Sequence, residues 1–426
     1  MSDFAGSVLH CLSAGRGSAL VDLRQAIQWF KQDPCLPGLD DPYRVYAALR
    51  EESAIHWCEG PNLWVIVAYQ EAVEQLKDHR FSRQEHLDKL ISRFGAGHIF
   101  DRQKNDLPYM DGTDHARMRH HVINAYRRID FPSLKGFTKA FLDSRLESLS
   151  RQKQFDVVHE VADLLPVMVV SELLGVPADQ QEQVGRKVGS FVRARGLTQT
   201  ESTMERGDDS MAFYEEYFLP LIHEKRKKPS SDLLSRLIAD PQEGVHLSDE
   251  QLLLIISSNF YSASIYTLRL LVGTLAWVMA LNPDSFARIQ DNRELVVPAL
   301  EEVLRWDAPA QATNASVALE DIEIGGKLVK AGDSLSVLVG AANRDPKAFS
   351  DPDQFLIDRH PNPHLSFAPG LHQCLGLQIA RMKGEAALHA FCDHFSSLSV
   401  IQSESQRFVG DRFRGFDRLM LDVFRR

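Results

Sequence analysis

Cysteine is too sparse and too scattered here to build a framework. Cys11, Cys35, Cys58, Cys374 and Cys392 are the only five in 426 residues, and no two form a CxxC pair. That excludes a disulfide scaffold and a cysteine-rich zinc site, and leaves single cysteines free for chemistry. No run of about 18 or more apolar residues exists, and no charged-then-apolar segment opens the chain. The expectation is a cytoplasmic chain with no membrane association. Positive charge is not in excess: 48 Lys and Arg stand against 58 Asp and Glu, a net charge of −10. That argues against nucleic acid as a partner. No flavin, nicotinamide or iron–sulfur motif is evident, nor any repeat, low-complexity tract or linker.

What remains is an ordinary globular composition, 44% apolar and 25% charged. A chain of this length can bury a large core and still enclose a cofactor. Helical periodicity dominates, at about 131–149, 156–174, 208–227, 248–281, 294–306 and 375–395. The apolar stretch 155–174 is stopped by Gly175-Val176-Pro177. Strand patterns are short: 55–58 and 63–67 around Glu59-Gly60-Pro61-Asn62, then 317–319, 322–324 and 334–339. The fold class expected is mainly α with small β-sheets. One domain, 1–426, has a β-rich part at about 41–68 and a helix-rich remainder. The helix at 248–281 starts at Ser248-Asp249-Glu250, a capping residue followed by acidic first-turn residues. It would run roughly 50 Å. Being apolar on nearly all faces, it must cross the interior.

The most informative string is Phe367-Ala-Pro-Gly370-Leu-His372-Gln-Cys374-Leu-Gly376. It sets a cysteine in a Gly/Pro-rich loop just before a helix. Unpaired backbone N–H groups there favour a thiolate. Glycine at 370 and 376 allows close approach to something flat and large.

This string resembles the haem-binding signature of cytochromes P450, Phe-Gly-x-Gly-x-His/Arg-x-Cys-x-Gly. Five of its six specified positions match, and Ala368 replaces a glycine. The resemblance extends from about Asp41 to Arg426. It implies haem b as cofactor, O2 as co-substrate, and Cys374 as the axial ligand to iron. A thiolate ligand pushes electron density onto iron and favours O–O cleavage. Backbone N–H groups of Leu375 and Gly376 are the candidates to tune the sulfur.

Further strings carry the same resemblance. Glu302-Val-Leu-Arg305 matches the family's Glu-x-x-Arg, and Arg359 stands where a third member of that network is expected. Its implied role is to hold the thiolate loop. His115 and Arg119, four apart on one helix face, match a His-x-x-x-Arg pair that binds haem propionates. His372 is implied on the propionates from the other side. The arginine usual after Glu-x-x-Arg is absent, and Thr313-Asn314-Ala315-Ser316 stands there instead.

The long helix should cross the distal face of the haem. Where the family has Ala/Gly-Gly-x-Asp/Glu-Thr, this chain reads Ala263-Ser264-Ile265-Tyr266-Thr267. The alcohol is present. Tyr266 takes the place of the acid, and an ordinary phenol near pKa 10 is a poor proton reservoir. A shift of one turn would bring Asn259, Tyr261 or Ser262 to the haem. Protons could come from Thr267, Ser264 and water, or from the substrate. A third alternative is an atypical reaction: desaturation, coupling, rearrangement or a redox-neutral isomerisation or dehydration.

Electrons must come from a separate partner, a ferredoxin or flavodoxin with its reductase. Arg117, His120, His121, Arg127, Arg128 and Lys383 are the expected basic surface for an acidic carrier. Specificity is expected in about 83–110, 175–215, 257–267 and 308–317, with the turn near 412–416. Leu90, Ile91, Phe94, Ile99, Phe100 and Phe260 are candidate pocket walls, and Arg193 or Arg195 a candidate for an acidic group. The expectation is a monomeric monooxygenase acting on a medium-sized apolar secondary metabolite, free or carrier-bound.

Overall fold

The computed structural model describes residues 27, 28, 30, 41–94, 103–186, 201–239, 246–408 and 412–426. Ile99, Phe100, Arg193 and Arg195 lie outside them, as do Cys11 and Cys35.

The N-terminal part combines α1 (Tyr43–Glu52), the hairpin β1 (Ile55–Cys58) and β2 (Leu63–Ile66), α2 (Tyr69–Lys77), β3 (Phe81–Ser82) and α3 (Arg83–Phe94). A helical region follows: α4 (Gly112–Arg127), α5 (Phe131–Leu149), β4 (Gln154–Asp156), α6 (Leu164–Leu174), α7 (Glu201–Lys227) and α8 (Leu233–Ala239). The long helix α9 (Asp249–Leu281) comes next, then α10 (Pro283–Asp291) and α11 (Val296–Trp306). Short strands β5 (Ser316–Ala318), β6 (Ile322–Ile324), β7 (Lys327–Val329) and β8 (Ser334–Val337) precede α12 (Leu377–His394). The chain closes on β9 (Phe395–Val400), β10 (Gln406–Arg407), β11 (Phe416–Arg418) and β12 (Met420–Arg425).

The largest sheet has the order β1-β2-β8-β5-β3, with β2 and β8 parallel. Strands β4, β12 and β9 make a second, antiparallel sheet. This is the mainly helical fold with small sheets that the periodicity predicts.

Two elements differ from their patterns. The apolar stretch 155–174 is not one helix. Its first residues pair with the C-terminal strand, Phe155 opposite Leu421. Asp156 then ends the strand by accepting N–H bonds from Val158 (3.0 Å) and Leu419 (3.1 Å). A π-helical turn, Val158–Ala162, leads into α6. Helix α6 stops where Gly175 takes a left-handed φ of 69°. The strand expected at 334–339 ends at Val337, and Val339–Ala342 turns helical.

Helix α9 is continuous but not uniform. Ser248 and Gln251 form a reciprocal capping box at its start. Ile255–Ser262 is π-helical, and regular geometry resumes at Ala263. Such widened turns cluster at functional sites. By length and composition α9 could cross a membrane, but 67% of its most apolar window is buried inside the protein. Leu268, Leu271, Val272 and Leu275 belong to one core cluster with residues of α5, α6, α11 and α12. The helix is therefore the axis on which the rest packs.

Candidate active site

Cys374 lies in the loop that enters α12 at Leu377. Its N–H donates to the Phe367 carbonyl at 2.9 Å, closing the loop on itself. Gly370, at φ 100°, turns the chain where a Cβ would sit 2.1 Å from the Leu76 carbonyl oxygen. Ala368 has φ 47°, a left-handed value that favours glycine. That is a physical reason for a glycine at this point of the signature. The cysteine is accessible by surface area yet surrounded by protein, because its surface opens onto an internal cavity. Burial raises the thiol's pKa, while the Gly376 N–H and the charges of Arg119 and Arg381 pull it down. Of the two expected N–H donors, Gly376 reaches the sulfur.

The loop is anchored from below. Glu302 accepts from Arg305 Nε at 2.7 Å and from its terminal nitrogen at 2.8 Å. Arg359 Nε reaches both Glu302 oxygens at 3.1 Å, and the Leu356 N–H adds a bond at 3.0 Å. The Glu302 and Arg305 side chains are 0% exposed and Arg359 6%. Arg305 also donates to the Asn343 carbonyl at 3.0 Å. The Asn343 side chain accepts from Leu365 N–H and donates to Ser366 Oγ. Phe367 and its bond to Cys374 follow at once. The carboxylate and two guanidiniums thus reach the cysteine through one buried hydrogen-bonded path.

The cavity measures about 350 Å³. Cys374, Phe367 and Gly376 line one part of it, and Ala263, Ser264, Thr267 and Leu268 of α9 another. Arg83, His115, Arg119, His372 and Arg412 also line it. Among the described residues, no carboxylate does. His115 Nε2 is buried without a hydrogen-bond partner. A buried polar atom of this kind needs a hydrogen-bond partner.

The basic groups are held in place. Arg119 donates to the Gln373 carbonyl at 2.7 Å. The His115 and His372 rings lie 4.4 Å apart between centroids, so they stand on the same side of the cavity and not on the opposite sides expected. His372 Nε2 stands 3.7 Å from Asp111 Oδ1. Burial alone would raise Asp111, but the nearby His372 ring and hydrogen bonds from Ser82 and the backbone of Gln84 and Arg83 hold it at about 2. Burial pushes His115 down to about 4, helped by His372 and Arg119. Arg412 donates to Asn314 Oδ1. Asn314 occupies the segment where the sequence lacks the expected arginine, and Arg412 brings a guanidinium back to it from the C-terminal turn. Nothing in the spacing of the signature could reveal that substitution in space.

On α9, Thr267 donates to the Ala263 carbonyl at 2.7 Å. Ser258, Asn259, Phe260 and Ser262 line the cavity from the π-helical segment. Tyr261 does not; its hydroxyl meets Ser171 Oγ at 3.0 Å. Tyr266 must be corrected as a catalytic candidate. Its ring packs edge-on to Phe408 and Phe413, at 5.4 and 5.1 Å, and is not part of the cavity lining. At one residue from Thr267, a helix turns it onto another face. The expected basic surface also needs correction. Lys383 is fully buried, and its Nζ lies 2.9 Å from Ser264 Oγ. His121 is buried on the Leu237 carbonyl at 2.9 Å. Arg117, His120, Arg127 and Arg128 remain exposed on or beside α4.

Apolar lining missed by sequence reasoning comes from α6: Val169, Val170 and Leu173. Leu107 and Pro108 line the cavity beside Phe260, whereas Leu90 is buried in the core away from it.

The family description Cytochrome P450 matches residues 199–409. The chain is 30% identical over 377 residues to a 6-deoxyerythronolide B hydroxylase of Saccharopolyspora erythraea, covering 84% of this chain and 90% of that protein. It is 30% identical over 376 residues to a nocardicin C N-oxygenase of Nocardia uniformis, with the same coverage on the chain's side and 89% on the other. The chain belongs to the cytochrome P450 family. Among solved structures, P450BioI in complex with an acyl carrier protein ligated to hexadec-9Z-enoic acid superposes with a TM-score of 0.80 at 26% identity. That match covers 90% of this chain and 98% of P450BioI. As a P450 the protein is a monooxygenase that uses haem b and O2. The cavity suits that cofactor. A thiol stands at one side, basic groups can meet two propionates, and His115 Nε2 is a buried polar atom still lacking a partner.

Proposed function

We propose that this P450 hydroxylates a medium-sized, largely apolar metabolite of secondary metabolism, with Cys374 as the thiolate that would hold its haem iron. The observation that carries the reading is the cavity: among the described residues, one thiol, five basic side chains and no carboxylate on walls otherwise rich in Leu, Val and Phe. Bound there, haem b supplies the iron that activates O2, and the thiolate favours O–O cleavage. His115, Arg119 and His372 would hold the propionates, with Arg412 taking the place of the missing arginine. Glu302, Arg305 and Arg359 keep the thiolate loop in register. Ser264 and Thr267 move protons on the distal side.

Substrate selectivity falls to Leu107, Phe260, Val169, Val170 and Leu173. Their surface is apolar, and apolar burial supplies most of the affinity for such a ligand. The carrier-protein complex of P450BioI makes an acyl group on a carrier protein a candidate form of substrate. Electrons come from a ferredoxin or flavodoxin with its reductase, docking on Arg117, His120, Arg127 and Arg128. The chain works as a monomer and a single domain.

Two measurements test this reading. The reduced carbon-monoxide complex should show the red-shifted Soret band of a haem thiolate. A Cys374→Ala variant that kept the band would overturn the assignment. Screening a metabolite library for a low-spin to high-spin shift then identifies ligands that displace iron-bound water. A library in which only strongly polar molecules produced the shift would overturn the substrate class.

A further inference from the structure

We infer that Lys383 holds the proton that Ser264 delivers into the cavity, doing for this chain what a distal acid would do. The inference rests on the haem-thiolate reading above. Lys383 is 0% exposed and comes from α12, the helix that follows Cys374. Its Nζ reaches through the interior to Ser264 Oγ at 2.9 Å. Ser264 lines the cavity shared by Cys374 and Thr267. One buried side chain therefore connects the helix behind the thiolate loop with the distal helix.

The chemistry of the pair is reciprocal. An ammonium has three donors and no acceptor, and among the described residues its one hydrogen bond is to Ser264. A buried charge so weakly compensated is costly. Burial lowers the lysine from its ordinary 10.5 to about 7. Charged and neutral forms are then of similar stability near neutral pH. When charged, Nζ–H donates to Ser264 Oγ. When neutral, the nitrogen lone pair can accept from the Ser264 hydroxyl.

Neighbouring ionisable groups are engaged elsewhere. On its own helix, Arg381 pairs with Glu301 of α11, Asp393 with Arg293, and His394 with Asp143 of α5. Glu385 and His389 share that helix, and neither contributes to the lysine's shift. On α11, Glu302 and Arg305 pair with each other. On α9, Arg269 pairs with Asp163. From α10, Arg288 pairs with Asp358. Among the described residues, burial is the whole cause of the lysine's shift.

The proton count closes. Monooxygenation takes one O2, two electrons from the redox partner and two protons; one oxygen goes to substrate and the other leaves as water. For each transfer, a Lys383 N–H bond breaks and its proton passes to Ser264 Oγ. The Ser264 O–H bond breaks and its proton goes to the acceptor oxygen in the cavity. Lys383 is left neutral and is recharged through the same hydroxyl by a solvent-derived hydronium ion entering the cavity, which is left there as water. Lys383 acts through Ser264 and is a positioning residue; Ser264 faces the reacting atoms.

The test uses the full-length haem protein, Lys383→Met and Ser264→Ala. Carbon-13 NMR of lysine-labelled protein should show one lysine titrating near neutral pH, absent in Lys383→Met and present in Ser264→Ala. With a surrogate ferredoxin and reductase and no added substrate, oxygen consumption by the parent should fall as pH rises through neutrality. Both variants should be slower several-fold, with that inflection gone. Should Lys383→Met fail to fold, the parent titration and Ser264→Ala decide the matter. A lysine titrating in the ordinary alkaline range, or variants keeping the parent's pH profile, overturns the inference. The carbon-monoxide spectrum separates the two levels. A missing thiolate band in the parent defeats the reading beneath, whereas a normal band with an ordinary lysine defeats this inference alone.

Discussion

Lys383, 0% exposed, places its Nζ 2.9 Å from Ser264 Oγ on the cavity wall. The contact has a thermodynamic consequence apart from catalysis. The folded lysine titrates near 7 and the unfolded one near 10.5. Between those values the unfolded chain binds more protons, so stability rises with pH across the window. Below about 7 both states are charged and the cost is constant and full. Each unit of depression is worth about 1.4 kcal/mol. Lys383→Met should therefore be more stable than the parent by a few kcal/mol at neutral pH, with the gap closing as pH climbs toward the ordinary lysine value. Urea unfolding of both proteins at several pH values measures it. A gap that stays constant with pH would contradict the buried-lysine account.

Ala368 offers a second stability test. Its φ of 47° costs an L-residue about 1 kcal/mol that glycine does not pay. Part of that gain is offset by the greater unfolded-state freedom of glycine. Ala368→Gly should raise stability by roughly 0.5–1 kcal/mol with an unchanged carbon-monoxide spectrum. Thermal unfolding reads the difference, and a lower midpoint would show that the methyl group contributes packing that outweighs the strain.

These two positions mark where sequence reading reached and where it stopped. The signature around Cys374, the Glu302–Arg305–Arg359 network and the long helix are legible because each depends on fixed spacing along one element or loop. Short-range periodicity also found β1, β2, α5 and α11. It failed at 155–174, where an apolar run looked helical but Phe155 pairs with Leu421 from the far end of the chain. It failed at Lys383 for a similar reason. A lysine beside charged residues on a helix reads as solvated, and only the packing of α12 on α9 buries it. Tyr266 was misread because one position along a helix rotates a side chain by about 100°. Arg412 lies too far along the chain from Asn314 for any local pattern to connect them.

Removing Glu302 should break the buried network. Glu302→Ala leaves the Arg305 and Arg359 guanidiniums without their shared carboxylate, in a site with almost no solvent. Breaking such a buried pair costs about 3–5 kcal/mol. Because the network runs through Asn343 to the thiolate loop, haem incorporation should suffer as well as stability. The measurement is the ratio of the thiolate Soret band to protein absorbance after expression with excess haem precursor. A fully loaded, normally stable variant would mean the network is replaceable by packing alone.

Thr267 donates its hydroxyl hydrogen to the Ala263 carbonyl and leaves oxygen lone pairs for the cavity. It can therefore accept a hydrogen bond there without rotating. Thr267→Ala should keep the thiolate spectrum and substrate-induced spin shift while product per electron falls several-fold and released hydrogen peroxide rises. Peroxide and product are quantified together once a ligand has been identified. Unchanged coupling would assign proton delivery to the Ser264 side of the helix alone.

Arg412 tests how this chain holds the acidic edge of its cofactor. It reaches the cavity from the C-terminal turn and donates to Asn314, where the sequence itself carries no cation. Its backbone carbonyl also accepts from the Gln311 N–H at 2.8 Å, so the turn is tied to the segment it serves. Arg412→Leu removes one charge-assisted donor and leaves His115, Arg119 and His372. A hydrogen bond to a charged group contributes about 1.5–3 kcal/mol when well shielded; partial exposure here reduces that to about 1 kcal/mol. Haem should leave the variant roughly fivefold faster, as followed by transfer to excess apomyoglobin, while the thiolate band of the loaded fraction stays in place. Arg412→Lys should recover part of the retention, because it restores the charge but not the planar fork. If Arg412→Leu released haem at the parent's rate, the guanidinium would belong to the substrate side of the cavity, and spin-state titration with acidic ligands would then show the loss instead.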